Sequence, residues 1–195
     1  MLGLMVAMAV QMALPDESAP AARPAEGMQG ITRIFDMICN RAFPDDAKII
    51  ATMQSMPEAT PLTSTQLREF LKDDPGRGWS LQAGSERVVI TLEASPVHAC
   101  SVRMVSDQAF DDGFWRSVIG AQQARAGGGF TPIPPRNISA EGLRTTVTGD
   151  YRLGPGDMLE SFYLFQTVPT NRNKPNAHRG EIRLVRQIVL TAATP

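Results

Sequence analysis

The two cysteines of the chain, Cys39 and Cys100, constrain its fold more than any other feature of the sequence. Cys39 lies in a helical pattern, in which apolar residues recur at three- and four-residue spacing from Ile31 to Ala42. Cys100 lies in an alternating run and shares one face with Val102 and Met104. Both sulfurs should therefore point into a core in which a helix packs against a strand.

The state of these two sulfurs depends on the compartment of the protein. An oxidising compartment favours a disulfide, whereas the reducing cytosol would leave two buried thiols. The cysteines are separated by 61 positions (100 − 39), and a loop of that length is worth about 4 kcal/mol in the chain-entropy model. There is no CxxC motif, which argues against a redox-active pair and against a zinc ribbon.

The beginning of the chain is apolar and uncharged over residues 1–14, MLGLMVAMAVQMAL. This run is too short to span a bilayer as a stable helix and suits the apolar region of a secretory signal. Ala19 and Ala21 follow as an Ala-x-Ala cleavage site, although no basic residue precedes the run. We predict a signal peptide over residues 1–21, a flexible leader over 22–29 and one domain over 30–195, in a periplasmic or secreted protein without a membrane span after cleavage. The alternative is a frayed helix on a cytosolic protein.

The apolar periodicity predicts an α+β fold, with N-terminal helices and a mostly antiparallel sheet of about five strands with an inserted helix. The helices should run from residue 30 to 42, from Pro44, from a capping box at Thr63 and Gln66, and around residues 114–119 before the glycines at 127–129. The strands should cover residues 87–93, 99–105, 145–151, 161–168 and 181–190. Residues 131–136 contain three prolines and are predicted to be irregular.

The charge of the chain limits the classes of partner that it is expected to bind. The formal net charge is −1, and it becomes +1 (19 − 18) without residues 1–21, so binding of nucleic acid by bulk charge is disfavoured. The C-terminal segment is locally basic, with one acid, Glu181, among five cations: Arg172, Lys174, Arg179, Arg183 and Arg186. These cations predict a surface for an anionic envelope component or an acidic protein. The alternative is a solvated strand face.

The sequence contains no motif for catalysis, a metal or a cofactor. His98 and His178 are the only histidines, and they lack the spacing of metal ligands. The three glycines at 127–129 follow a helix rather than open one, which is not the arrangement of a phosphate-binding loop. We therefore predict a non-catalytic binding domain with no cofactor. The alternatives are a hydrolase with a dispersed site that uses His98 as general base, and a cytosolic ligand-binding domain with free thiols.

Three segments carry a resemblance to a group of known proteins. Cys39 precedes a Pro-Asp step in ICNRAFPDD, Gly78 and Trp79 lie in RGWSL, and Cys100 lies in HACSVRM. In this order, over roughly residues 34–104, the chain resembles small, uncharacterised exported bacterial proteins with one helix-to-strand disulfide. The resemblance implies export and a Cys39–Cys100 bond, and it implies no particular activity.

Overall fold

A computed structural model describes residues 26–83, 86–106, 110–170 and 180–190. The predicted signal peptide and residues 22–25 of the predicted leader lie outside these ranges. The described residues form four α-helices: α1 (Glu26–Phe35), α2 (Asp46–Gln54), α3 (Ser64–Leu71) and α4 (Asp112–Arg125). A π-helical segment, Asp36–Asn40, continues α1 and carries Cys39. Within the described ranges, none of the helices has the length and apolar character needed to cross a bilayer.

The predicted helix boundaries are largely confirmed by the capping contacts. Asp45 precedes α2, and its carboxylate accepts a hydrogen bond from a backbone N–H of the first turn. Thr63 and Gln66 form the predicted capping box of α3. Gly127, Gly128 and Gly129 follow α4 with φ values of 89°, 74° and 79°, a region in which a side chain would be strained. One boundary differs, because α1 begins at Glu26, inside the predicted leader.

The strands form one eight-stranded sheet, with the order β1-β2-β3-β4-β8-β7-β6-β5 and antiparallel pairing throughout. The strands are β1 (Thr60–Pro61), β2 (Gly76–Ala83), β3 (Glu86–Glu93), β4 (Val97–Val105), β5 (Thr131–Ala140), β6 (Leu143–Gly154), β7 (Met158–Pro169) and β8 (Glu181–Leu190). Helix α4 leads from β4 to the far edge of the sheet, and the chain then returns strand by strand until β8 lies beside β4. The α+β class and the antiparallel sheet are confirmed.

The predicted number of about five strands is wrong. All five predicted strands are present, and the described residues add β1, β2 and β5. Strand β5 includes Pro132, Pro134 and Pro135, in the segment that was predicted to be irregular. It lies at an edge of the sheet, and its register shifts between Ile133 and Arg136. An edge strand tolerates proline because one of its sides has no ladder that a missing N–H could break.

The hydrophobic core lies between one face of the sheet, hereafter the core face, and the layer of α1, the π-helical segment and α4. The Cys39–Cys100 disulfide joins these two layers, with 5.4 Å between the Cα atoms and both cysteines fully buried. The predicted disulfide and the predicted packing of a helix on a strand are therefore confirmed. The large buried side chains around it include Phe35, Ile38, Ile90, Trp115, Phe162 and Leu184.

Arg186 forms a second connection between the two layers. The prediction that it lies on an exposed basic surface is wrong. The residue is 6% exposed. Its Nε and Nη2 donate to Oε1 of Glu160 at 3.0 and 2.7 Å, and Glu160 is itself 2% exposed. Its Nη1 contacts the carbonyl oxygens of Cys39, Asn40 and Phe43 at 3.3, 2.8 and 3.0 Å. A buried guanidinium is tolerated here because a carboxylate and backbone carbonyls accept its hydrogen bonds.

Candidate functional site

The other face of the sheet, hereafter the open face, is covered in part by α3. Along β2, Trp79 is buried on the core face, so the neighbouring Gly78 faces the opposite side. A Cβ atom at Gly78 would lie 2.7 Å from Cδ1 of Leu62 and 3.0 Å from Cδ1 of Leu67. The absence of a side chain at Gly78 therefore allows α3 and the turn before it to pack closely on the open face.

A cavity of about 670 Å³ lies between α3 and the open face. Its apolar wall is formed by Phe70, Val89 and Val105. Its charged side chains are Glu69, Glu86, Arg87, Arg103 and Glu181, and Gln66 and Gln82 complete the lining. This volume lies within the range of pockets that hold small organic molecules, which is roughly 300–1,000 Å³.

Arg103 and Arg183 form an arginine pair at this site. They are direct partners in the register of β4 and β8, so both side chains leave the sheet on the open face. The guanidinium carbon of Arg103 lies 4.7 Å from the ring centroid of Phe70, and that of Arg183 lies 5.6 Å from the ring centroid of Phe165. The Arg103 side chain is only 12% exposed. Two like charges are thus held next to each other by the sheet, each against an aromatic ring.

The arginine pair has hydrogen-bond donors without acceptors. Within the described ranges, Nε and Nη2 of Arg103 and Nε of Arg183 are buried and have no hydrogen-bond partner. Nη1 of Arg103 lies 4.0 Å from Oε1 of Glu181, which is beyond hydrogen-bonding distance. The Nε–H and Nη2–H groups lie on one edge of a guanidinium and together bind both oxygens of a carboxylate. Buried donors without partners require an explanation, and the capacity to bind an anion supplies one.

The electrostatics of the arginine pair also favour an added negative charge. Burial, together with the neighbouring positive charge of Arg183, lowers the pKa of Arg103 to about 10, against an opposing effect of Glu181. Burial likewise lowers the pKa of Arg183, while Glu181 and Glu93 act in the opposite direction. Arg103 still carries its charge at neutral pH. The folded chain therefore keeps two unfavourably placed positive charges, whose cost a bound anion would reduce.

The predicted basic surface lies only partly within the described residues. Arg172, Lys174 and Arg179 lie outside the described residues, Arg183 belongs to the arginine pair, and Arg186 is buried in the core. Sequence reasoning missed Arg103, because a single polar residue on the outer face of an antiparallel strand is common and by itself indicates no site. The available signal was its position opposite Cys100, Val102 and Met104 in the alternation of that strand.

The predicted general base, His98, lies in a different part of the molecule. Its Nε2 is 2.7 Å from Oδ1 of Asp46, and its ring centroid is 4.5 Å from that of Phe43. Strand alternation places His98 on the core face and Arg103 on the open face. The His98–Asp46 contact connects β4 to the first turn of α2, and the catalytic role of His98 stays a prediction. His178 lies outside the described residues.

In the described part of the chain, no three His, Cys, Asp or Glu side chains are grouped closely enough to hold a metal ion. No family model matches the chain, and no curated protein or solved structure matches it either. The function must therefore be inferred from the side chains of this protein alone.

Proposed function

We propose that this protein is an exported, non-catalytic domain that binds a small organic anion in the cavity between α3 and the open face. The observation that carries the proposal is the edge of the Arg103 guanidinium that has no acceptor, on a residue that lines a cavity of about 670 Å³. The apolar N-terminal run favours export. The Cys39–Cys100 disulfide is of the kind that persists in an oxidising compartment.

The charges of the cavity favour a small anion over an anionic polymer. Glu69, Glu86 and Glu181 line the same cavity as Arg87 and Arg103. An extended polyanion would bring further negative charges close to these three carboxylates, whereas a single carboxylate could contact Arg103 alone. Among the anionic envelope components, a small molecule is therefore the best match.

Equilibrium dialysis against the small-molecule fraction of an envelope extract from the native host tests this proposal. Three proteins are compared by mass spectrometry of the retained compounds: the wild type, Arg103→Met and the control Arg116→Met. Arg116 lies on α4 and pairs with Asp112 at the surface, with 49% and 42% of the two side chains exposed. The control therefore removes the same charge from a site remote from the cavity.

We expect the wild type and Arg116→Met to retain the same carboxylate-containing compound. Arg103→Met should bind it at least about tenfold more weakly, since a hydrogen bond to a charged group contributes about 1.5–3 kcal/mol. Equal retention by Arg103→Met, or the absence of any carboxylate-containing compound retained by the wild type, would contradict the proposal.

Export has a separate test, which is the intact mass of the protein isolated from its native host. We expect a chain that lacks residues 1–21 and is lighter by two hydrogen atoms than its reduced form. A full-length chain with two free thiols would rule out the exported form and support the cytosolic alternative.

A hydrolase that uses His98 is a second candidate, because Asp46 contacts the imidazole in the way that a carboxylate orients a general base. In a broad screen of hydrolase substrates, His98→Ala should abolish any activity of the wild type, while the surface control Arg116→Met should leave it unchanged. A wild type that hydrolyses none of the substrates removes this candidate.

A further inference from the structure

We infer that the ligand of this cavity is a small zwitterion of the amino-acid or short-peptide class. Its carboxylate contacts Arg103, and its ammonium group contacts Glu69 and Glu86. The inference rests on the proposed function, because it assigns a chemical class to the ligand of the same cavity.

The balance of charge in the cavity is the first reason. Two arginines, Arg87 and Arg103, and three glutamates, Glu69, Glu86 and Glu181, line it, and Arg183 lies directly beside Arg103, so that the opposite charges balance (3 − 3 = 0). A ligand with only a negative charge would disturb this balance and would meet the glutamates as like charges. A zwitterion preserves the balance, and each of its charged groups can approach side chains of the opposite sign.

The position of the glutamates is the second reason. Glu69 projects from α3 and Glu86 opens β3, whereas Arg103 lies on β4, in the interior of the sheet. In the described part of the chain, neither Glu69 nor Glu86 forms an ion pair. Both residues line the cavity, Glu86 at the end of its strand, and both are candidates to bind a cationic group of the ligand.

The apolar wall and the size of the cavity are the third reason. Phe70, Val89 and Val105 line the cavity together with these charged groups. An inorganic anion would leave most of the 670 Å³ and all of this apolar surface unused. An amino acid or a short peptide has a carboxylate, an ammonium group and an apolar side chain, which together match all three kinds of lining.

Calorimetric titration with three forms of one dipeptide tests the inference. The probes are leucyl-phenylalanine, its N-acetyl derivative and its C-terminal amide. We expect the free dipeptide to bind, and each blocked form to bind at least about tenfold more weakly, because each has lost one charge-assisted contact.

Matched variants assign each contact to its residues. The double variant Glu69→Gln/Glu86→Gln should bind the free and acetylated dipeptides equally well, and it should still discriminate against the amide. Arg103→Met should bind the free dipeptide and its amide equally well, and it should still discriminate against the acetylated form. Arg116→Met should behave like the wild type. A variant that is merely destabilised would weaken all three forms alike and would not produce this exchange of specificity.

The outcomes separate the inference from the proposed function. Binding of the acetylated dipeptide as tightly as the free form, with the amide still rejected, overturns the zwitterion and leaves the anion-binding function standing. Equal binding of the acid and the amide by the wild type contradicts both. If the free dipeptide does not bind, the inference is wrong, and the dialysis experiment decides the proposed function independently.

Discussion

Replacement of Arg186 by methionine should severely destabilise the protein. It removes the one buried charge that, within the described residues, connects β8 to the π-helical segment. The wild-type guanidinium neutralises Oε1 of Glu160 and binds three backbone carbonyl oxygens. Methionine retains an unbranched apolar side chain and removes every one of these contacts. The variant therefore isolates the charged group from the volume that it fills.

The expected cost follows from the contacts that remain. Removal of one partner of a buried ion pair costs about 3–5 kcal/mol. Arg152 still donates to Oε2 of Glu160 at 2.9 and 2.7 Å, which limits the penalty on that carboxylate. Against this, buried carbonyl oxygens lose a charged donor, at about 1–3 kcal/mol for each that stays unsatisfied. We expect a net loss of about 3–5 kcal/mol, a large part of the roughly 5–15 kcal/mol that stabilises a domain.

Urea unfolding of the oxidised protein measures this loss, with the fluorescence of Trp79 and Trp115 as the probe, since both are buried. The control Arg116→Met removes an exposed ion pair and a cation–π contact, at 5.9 Å from the ring centroid of Trp115, and should cost at most about 1 kcal/mol. The midpoint of Arg186→Met should fall far below that of the control at an unchanged slope. A difference of less than about 1 kcal/mol between the two variants would refute this account of the buried charge.

The three remaining predictions concern the cavity, the disulfide and an acidic side chain. Without ligand, Arg103→Met should raise the free energy of unfolding at neutral pH by about 1–2 kcal/mol. The lowered pKa of Arg103 corresponds to a cost of about 3 kcal/mol for its buried charge, and the lost cation–π contact offsets about 1 kcal/mol of this gain. A destabilised variant in the urea assay would contradict this prediction. Reduction of the Cys39–Cys100 bond should lower the free energy of unfolding by about 4 kcal/mol in the same assay. The double variant Cys39→Ala/Cys100→Ala is the control, and its midpoint should not respond to reductant. A wild-type midpoint that reductant leaves unchanged would contradict the prediction. Burial and the neighbouring Asp74 raise the pKa of Glu93 above 4.5, so the stabilisation linked to its protonation is complete below pH 4.5 and disappears as the pH rises through the raised value. The unfolding free energy of the wild type minus that of Glu93→Gln should therefore decrease from acidic to neutral pH. A value that is constant or increases with pH would contradict the raised pKa of Glu93.

Sequence reasoning succeeded where the physical cause is local. The capping box of Thr63 and Gln66 and the glycines that end α4 depend on residues a few positions apart, so the pattern contains all the information needed. The inward orientation of Cys39 and Cys100 follows from helical and strand periodicity in the same way. Export and the resemblance to exported proteins stay predictions.

The failures share a different cause. The prolines of β5 argued against a strand until the sheet order placed that segment at an edge. Arg186 read as a member of a basic surface, because five cations follow one another in the sequence. Only the tertiary structure supplied the groups that allow its burial: the carboxylate of Glu160 on the neighbouring strand β7, and carbonyl oxygens of the π-helical segment packed over β8.

The candidate site combines one feature that follows from strand alternation with another that depends on the tertiary structure. The alternation of each strand determined by itself that Arg103 and Arg183 leave the sheet on the face opposite the core residues. Their contact across β4 and β8 joins residues 80 positions apart (183 − 103). That pairing was decided by the order of strands in the sheet, because the side chains of one strand do not specify which distant strand will satisfy its backbone hydrogen bonds.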